Sequence, residues 1–349
     1  MKDANIVPDW RAQIDPIQLE AWMDRCALEH GPIERAQVLS GGTQNILLHF
    51  ERGGRGFVLR RPPMHPRPES NDTMRREMQV LAALAGTDVP HPGLIASCPE
   101  TDVLGTSFYL MEPIDGFNPA VGLPQAYRAN PQWRRRMGFA LVEGIACLGA
   151  VDPAAIGLGD FGRPEGFLER QVPRWRAQFE TYSSVAGWPG EGALAGIERV
   201  GDWLERHCTK VFQPGLMHGD YHFANVMFRH DAPELAAIVD WELATNGDPL
   251  IDLGWLLATW PGDDGQPGPV EISPWDGFPT ADELVGHYRE RSSRDLSAID
   301  WYKVMGCYKL AILLEGTHAR AHDGAARKEV GAKLHHDAIR LIERALKVI

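Results

Sequence analysis

Three polar residues of this 349-residue chain have types and spacings suited to moving a phosphoryl group. In HGDYHFAN, Asp220 stands in a polar turn and Asn225 follows five positions later, while Asp240 ends the apolar run LAAIVD. The carboxylate of Asp220 can accept or orient the proton of an attacking hydroxyl, and the amide oxygen of Asn225 can hold Mg²⁺. A buried strand ending at Asp240 lifts a second carboxylate toward a metal; Mg²⁺ takes hard oxygen ligands, with phosphate and water oxygens completing its shell. Each residue alone also fits a cap or a turn, but the three at this spacing point to a phosphate donor. The same stretch holds an HxDxH cluster, His218, Asp220 and His222, whose side chains are of metal-ligand type and allow metal-dependent hydrolysis as a second reading. That reading leaves Asn225 and Asp240 without a task.

These residues need elements to position them. Asp15 as cap, Pro16 in the first turn and Gly31 past the end predict a helix over 15–30. Three β-prone runs follow, 35–40, 45–50 and 55–60, joined by the turns GGTQ and ERGG. A stripe of Met74, Met78, Leu81 and Leu84 predicts a helix over 72–84, and PHPGLIAS and SFYLMEPI read as strands. The Pro/Gly-rich stretch IDGFNPAVGLP marks a boundary near Ile114. Beyond it the periodicity is helical over 131–149, 166–181, 194–208, 249–259, 282–291, 298–320 and 325–347, with GLMH, NVMF and LAAIVD as short strands among the helices. The expected fold is α+β and bilobal: a small β-rich lobe with a leading helix (1–114), then a larger helical lobe (115–349) carrying the polar motif and an acceptor site, with a cleft.

Composition narrows the partners. Hydrophobic residues at 44% and charged ones at 23% are ordinary for a globular protein, and a formal net charge of −12 disfavours nucleic acid and anionic membranes. The five cysteines (Cys26, Cys98, Cys147, Cys208, Cys307) are scattered, without a CxxC pair, as in a reducing compartment. The N-terminus has no apolar signal core, and the later apolar stretches are broken by Asp252 and Lys309. A cytoplasmic protein is expected.

The combination HGDxHxxN, IVDWE and GDPxxDL, together with LSGGTQN, FVLRRPP, RREMQVLAAL, SFYLMEPIDG and GLGDFGRPEGFLERQVPRW, resembles the aminoglycoside phosphotransferase family, relatives of protein and choline kinases. It is most similar to the kinase-like domains that also occur fused to acyl-CoA dehydrogenases. The resemblance covers most of residues 35–260 and implies a protein-kinase-like fold, with ATP and Mg²⁺ as cofactors. It implies that Ser40, Gly41, Gly42 and Thr43 form a turn over the phosphates, where glycine permits close backbone approach. Val58 and Arg60 share a strand face; the resemblance makes Val58 the roof of the adenine and Arg60 the contact to the α- and β-phosphates. Kinases usually carry Lys there, and Arg presents a wider planar fork. Glu77 is the implied ion-pair partner of Arg60, and backbone groups around Glu112 and Ile114 would read the adenine edge. Arg61, on the opposite strand face, is expected to be solvated. Asp248 and Pro249 read as cap and first residue of a helix, and Asp252 as a carboxylate bracing the HGD loop. His218 anchors that loop, His222 faces a cleft or solvent, and Glu242 stands where kinases have the Gly of DFG. This subgroup tends to have a histidine near Gly149, which is absent here.

The expected activity is an ATP- and Mg²⁺-dependent small-molecule kinase acting on an acceptor hydroxyl, with Asp220 catalytic and Asn225 and Asp240 holding metal. Two features bear on the acceptor. The stretch 262–284 has six acidic residues and no Lys or Arg, which suits a polycationic aminoglycoside, while arginines 134, 135, 136, 163, 170, 174 and 176 suit an anionic hydroxyacyl-CoA. An aminoglycoside or macrolide kinase and a pseudokinase without turnover are the alternatives, the second resting on Arg60. A protein kinase is disfavoured because DWE runs straight into GDPLIDLGW, leaving little room for an activation loop.

Overall fold

The structure is a computed structural model that describes residues 10–39, 45–262 and 268–349. The chain divides into two compact units, Met1–Gly116 with Ala236–Glu242, and Phe117–Leu235 with Leu243–Ile349. Asp240 therefore belongs with the N-terminal residues, although more than a hundred residues separate them in sequence.

In the first unit, helix α1 (Pro16–Arg25) starts where Asp15 accepts hydrogen bonds from the amides of Ile17 and Gln18. The helix ends five residues before the expected end, and Ala27 and Glu29 then take positive φ. Strands β1 (Glu34–Val38), β2 (Ile46–Arg52), β3 (Arg55–Arg61), β4 (Leu94–Cys98) and β5 (Phe108–Met111) form one antiparallel sheet in the order β1-β2-β3-β5-β4. One face of β3, Phe57 and Leu59, enters a core with Trp22, Leu48, Phe50, Phe108 and Leu110. The alternate face presents Val58 and Arg60, as the two-residue period requires. Helix α2 (Ser70–Leu84) buries the expected Met74, Met78, Leu81 and Leu84 stripe, and Glu77 with it.

The second unit is mainly helical: α3 (Gln125–Ala129), α4 (Pro131–Ala150), α5 (Gln171–Glu180), α6 (Ile197–Arg206), α7 (Leu250–Thr259), α8 (Ala281–Arg291), α9 (Ile299–His322) and α10 (Lys328–Val348). Strands β6 (Gly215–Met217) and β7 (Val226–Phe228) flank the HGD loop, and β8 (Leu235–Ile238), all but its first residue in the first unit, leads to Asp240. A further strand, β9 (Thr245–Gly247), pairs antiparallel with β6 and adds to the expected elements. Every residue of α7 is buried. It packs on α9 where Gly254 and Gly306 allow contact with no side chain between, since a Cβ on Gly306 would strike the Gly254 carbonyl. That close crossing brings Asp252, Trp255 and Lys309 to the HGD loop.

Among the described residues, no helix is long and apolar enough to cross a membrane. All five cysteines are free thiols.

Candidate active site

The second unit holds the HGD loop. Asp252, 1% exposed on α7, accepts hydrogen bonds from the amides of His218 (2.6 Å) and Gly219 (2.8 Å). Gly219 has φ +86 and lies against the Leu243 backbone, so a side chain fits neither its conformation nor its space. Lys309 of α9 donates from Nζ to the Gly219 carbonyl at 2.8 Å and sits 4.1 Å from the Trp255 ring centroid. Burial pushes the Lys309 ammonium down to about 8, against the pull of Asp220 and Asp252. Burial likewise raises Asp252, opposed by His218, the two amides and Lys309.

Asp220 is fixed on both oxygens. Trp255 Nε1 donates to Oδ1 at 2.9 Å, His222 Nε2 lies 3.2 Å from the same oxygen, and Asn225 Nδ2 donates to Oδ2 at 2.9 Å. Burial alone would raise this carboxyl. The His222 hydrogen bond and charge, then Lys309 and His218, outweigh it and hold Asp220 well below the usual carboxylate range. It is ionised at neutral pH and aimed by three partners. His222 Nδ1 accepts the Ala224 amide at 3.1 Å, which leaves Nε2 to carry the proton toward Asp220. With its Nδ2 committed to Asp220, Asn225 keeps its amide oxygen as the group to offer a cation.

The first unit holds a charged cluster around Arg60. Its Nε lies 2.9 Å from Glu77 Oε2, one terminal nitrogen lies 2.5 Å from Asp240 Oδ1, and the same nitrogen lies 4.0 Å from Glu242. Tyr109 donates to Glu77 Oε2 at 2.8 Å. Arg60 is 6% exposed and Glu77 0%, so the expected pair is a buried one. Burial raises Glu77, partly countered by Arg60. Asp240 has φ +67, a left-handed backbone uncommon outside glycine. Donor oxygens of Glu77, Asp240 and Glu242 lie within 4.8 Å of one another, an all-carboxylate set of the hard-oxygen type that suits Mg²⁺.

Several expectations are corrected. Arg61 is not solvated: it is 7% exposed and donates to the carbonyls of Gln13 (2.8 Å) and Pro62 (3.2 Å), because β3 is covered on both faces. For His222, left open between cleft and solvent, the structure places the ring beside Asp220 and largely buried. The helix beginning at 249 starts at Leu250, with the Asp248 side chain accepting its amide. His218 is fully buried, and its Nδ1 accepts the Asp220 amide, so HxDxH does not converge as three metal ligands. Ser40, Gly41, Gly42 and Thr43 lie outside the described residues. Val58 is buried beside Arg60 on β3. The Glu112 amide donates to the Gly93 carbonyl at 2.8 Å, while Ile114 is half-buried. Lys309 and Trp255 join the site without a motif that marks them as site residues. The available signal was a lysine inside the apolar run of α9 and the tryptophan closing GDPLIDLGW.

The acceptor arguments also change. Arg134, Arg135 and Arg136 pair with Asp276, Glu283 and Glu143, and Arg176 with Glu198, Asp202 and Glu205. Glu271 and Asp282 pair with Lys333 and Lys303, and Asp263 and Asp264 lie outside the described residues. Much of each like-charged run is thus neutralised internally. Arg174, exposed, lies over Trp175 (5.4 Å), whose ring also faces the Lys309 ammonium (5.5 Å).

The pattern of the phosphotransferase enzyme family matches residues 35–295. Acyl-CoA dehydrogenase family member 11 of Gallus gallus is 27% identical over 351 residues, covering 96% of this chain and 44% of that protein. Acyl-CoA dehydrogenase family member 10 of Mus musculus is 27% identical over 301 residues, covering 85% of this chain and 27% of that protein. The chain thus spans less than half the length of these curated relatives. A crystal structure from Ralstonia eutropha JMP134, described as that of a candidate aminoglycoside phosphotransferase, superposes with a TM-score of 0.77 at 28% identity, covering 96% of this chain and 99% of that one. APH(2")-IIIa, solved with GDP and kanamycin, superposes at 0.64 with 18% identity over 93% of this chain and 96% of that one, a likeness of fold. The fold is α+β and protein-kinase-like, as expected. With three quarters of its length matched by the family pattern, the chain belongs to the phosphotransferase enzyme family.

Proposed function

We propose that the protein is an ATP- and Mg²⁺-dependent kinase that transfers the γ-phosphoryl group to a hydroxyl of a small molecule. The observation that carries this reading is Asp220, an ionised carboxylate fixed by Trp255, His222 and Asn225 on a loop braced by Asp252 and Lys309. Asp220 accepts a hydrogen bond from the acceptor hydroxyl, aligns its oxygen with the γ-phosphorus and takes up its proton as the bond to phosphorus forms. With its low pKa it acts mainly by orientation, since a weak base removes a hydroxyl proton only late in transfer.

Residues 1–114 serve in this reading as the nucleotide lobe and 115–349 as the catalytic and acceptor lobe, with Asp240 reaching the nucleotide from the later segment. Arg60, held by Glu77, binds the α- and β-phosphates, Val58 covers the base, and Ser40, Gly41, Gly42 and Thr43 close over the phosphates. The Glu112 carbonyl and the Ile114 amide read the base edge, since the Glu112 amide is committed to Gly93. Asn225 and Asp240 would hold Mg²⁺, with Glu242 beside Asp240. When bound, the ion would neutralise charge on the transferring phosphate. Arg60 contacts Asp240 directly, so nucleotide and metal binding must draw this guanidinium toward phosphate.

A hydroxylated acyl-CoA or similar anionic metabolite is the acceptor class favoured here. Its support is Arg174 near Lys309 and the kinship with acyl-CoA dehydrogenase family members. ADP release is to be measured across hydroxyacyl-CoAs, small hydroxy acids, aminoglycosides and macrolides, for the wild type and Asp220→Asn. Asp220→Asn is expected to lower turnover by about 10²–10⁴-fold while ATP affinity stays near wild type. Full turnover in the variant would sink the assignment, and turnover confined to aminoglycosides would overturn the acceptor class.

A further inference from the structure

Glu315, His318 and His322 stand at i, i+3 and i+7 on α9 and so share one face, toward the N-terminal half of α10 and His335. Glu315 is fully buried. Its Oε1 accepts Trp188 Nε1 at 2.7 Å, and its Oε2 is 2.6 Å from His335 Nδ1. The His318 ring stacks on His335 with centroids 4.3 Å apart, and its Nε2 lies 3.2 Å from His322 Nε2. His318 Nδ1 is buried with no hydrogen-bond partner. One donor atom each from Glu315, His318 and His335 lies within 4.8 Å of the other two.

A hydrogen-bonded surface cluster does not account for all of this. Two imidazole nitrogens that face each other can share one proton, but the buried Nδ1 of His318 still lacks a partner. A set of imidazoles with one carboxylate selects first-row transition metals over Mg²⁺ and Ca²⁺.

We propose that Glu315, His318 and His335, with His322 at the rim, form a site for a transition-metal ion of the Zn²⁺ type that ties α9 to α10. Stacked imidazoles have nearly parallel lone pairs, so one ring turns on binding. The half-exposed His335 has room to do so, and its hydrogen bond to Glu315 gives way to coordination by both residues. The site lies apart from the HGD loop and is independent of the proposed kinase reaction.

The test uses untagged full-length protein stripped with EDTA and titrated calorimetrically with Zn²⁺ in excess Mg²⁺. One equivalent is expected to bind saturably, to be displaced by no amount of Mg²⁺, and to weaken at least tenfold in His318→Gln and His335→Gln. Zn²⁺ at a hundredfold excess over its Kd should raise the wild-type Tm by about 4 °C, an effect absent in the double variant. Co²⁺ in place of Zn²⁺ should give the visible bands of a tetrahedral site. The exposed His322→Gln variant covers the case in which a buried substitution unfolds the chain, and a weaker Co²⁺ signal is expected there. No saturable binding, or binding of equal strength in the wild type and all three variants, would overturn the proposal.

Discussion

Lys309 is charged, buried and bonded to the loop that carries Asp220, and replacing it by Met separates what it does for function from what it does to stability. Its fall from 10.5 to about 8 corresponds to roughly 3 kcal/mol against the charged form in the folded state. Because the folded pKa lies below the unfolded one, the unfolded chain binds more protons between pH 8 and 10.5, and this group adds stability as pH rises through that window. Lys309→Met keeps the length of the stem and removes the buried charge. It also strands the Gly219 carbonyl, at about 1–3 kcal/mol. The net effect on stability at pH 7 is thus between about 0 and +2 kcal/mol, where truncation of a core residue would ordinarily destabilise. Activity should move the other way, since the Gly219 carbonyl and the charge beside Asp220 are both lost. Urea denaturation at pH 7 and pH 10 and the pH profile of kcat form the assay. Wild-type stability gains on the variant as pH rises, and the wild-type kcat declines through about pH 8, a limb missing in the variant. A variant destabilised by more than about 2 kcal/mol at pH 7, or one with wild-type kcat, would refute the reasoning.

The remaining predictions concern the two charged clusters. Arg60→Ala leaves Glu77 buried without its cation and should destabilise by about 3–5 kcal/mol, whereas Arg60→Met combined with Glu77→Leu should recover most of that loss; thermal melts of the three proteins check it, and a neutral Arg60→Ala argues against a buried pair. ATP affinity should fall in Arg60→Ala, and unchanged affinity would point to a different nucleotide pose. His222→Gln removes the strongest influence lowering Asp220, so the carboxyl pKa rises and the acid limb of the kcat/KM profile moves to higher pH; an unmoved limb would show that His222 does not set the charge of Asp220.

Much of the fold could be read from local pattern. The alternating strands around Arg60, the Met74–Leu84 stripe and the helices of the second unit follow from periodicities of two and 3.6 residues, which are local properties. Boundaries were less exact. The helix expected from 166 begins at Gln171, and α3 and β9 were missing, because a five-residue helix and a three-residue strand carry too little pattern to stand out. Arg61 was misread since a strand covered on both faces has no solvent side for alternation to predict.

Local sequence pattern pointed to the chemistry: the types and spacing of Asp220, Asn225 and Asp240 suit phosphoryl transfer, and the resemblance to a kinase-like family added Arg60 on β3 and Glu77 on α2. Tertiary structure alone decided how the groups are held. The grouping of Ala236–Glu242 with the N-terminal residues, the contact of Arg60 with Asp240, the aiming of Asp220 by Trp255 and His222, and the lysine beneath the HGD loop all join residues distant in sequence. Such contacts depend on packing, as where two glycines let α7 cross α9, and no local pattern encodes them.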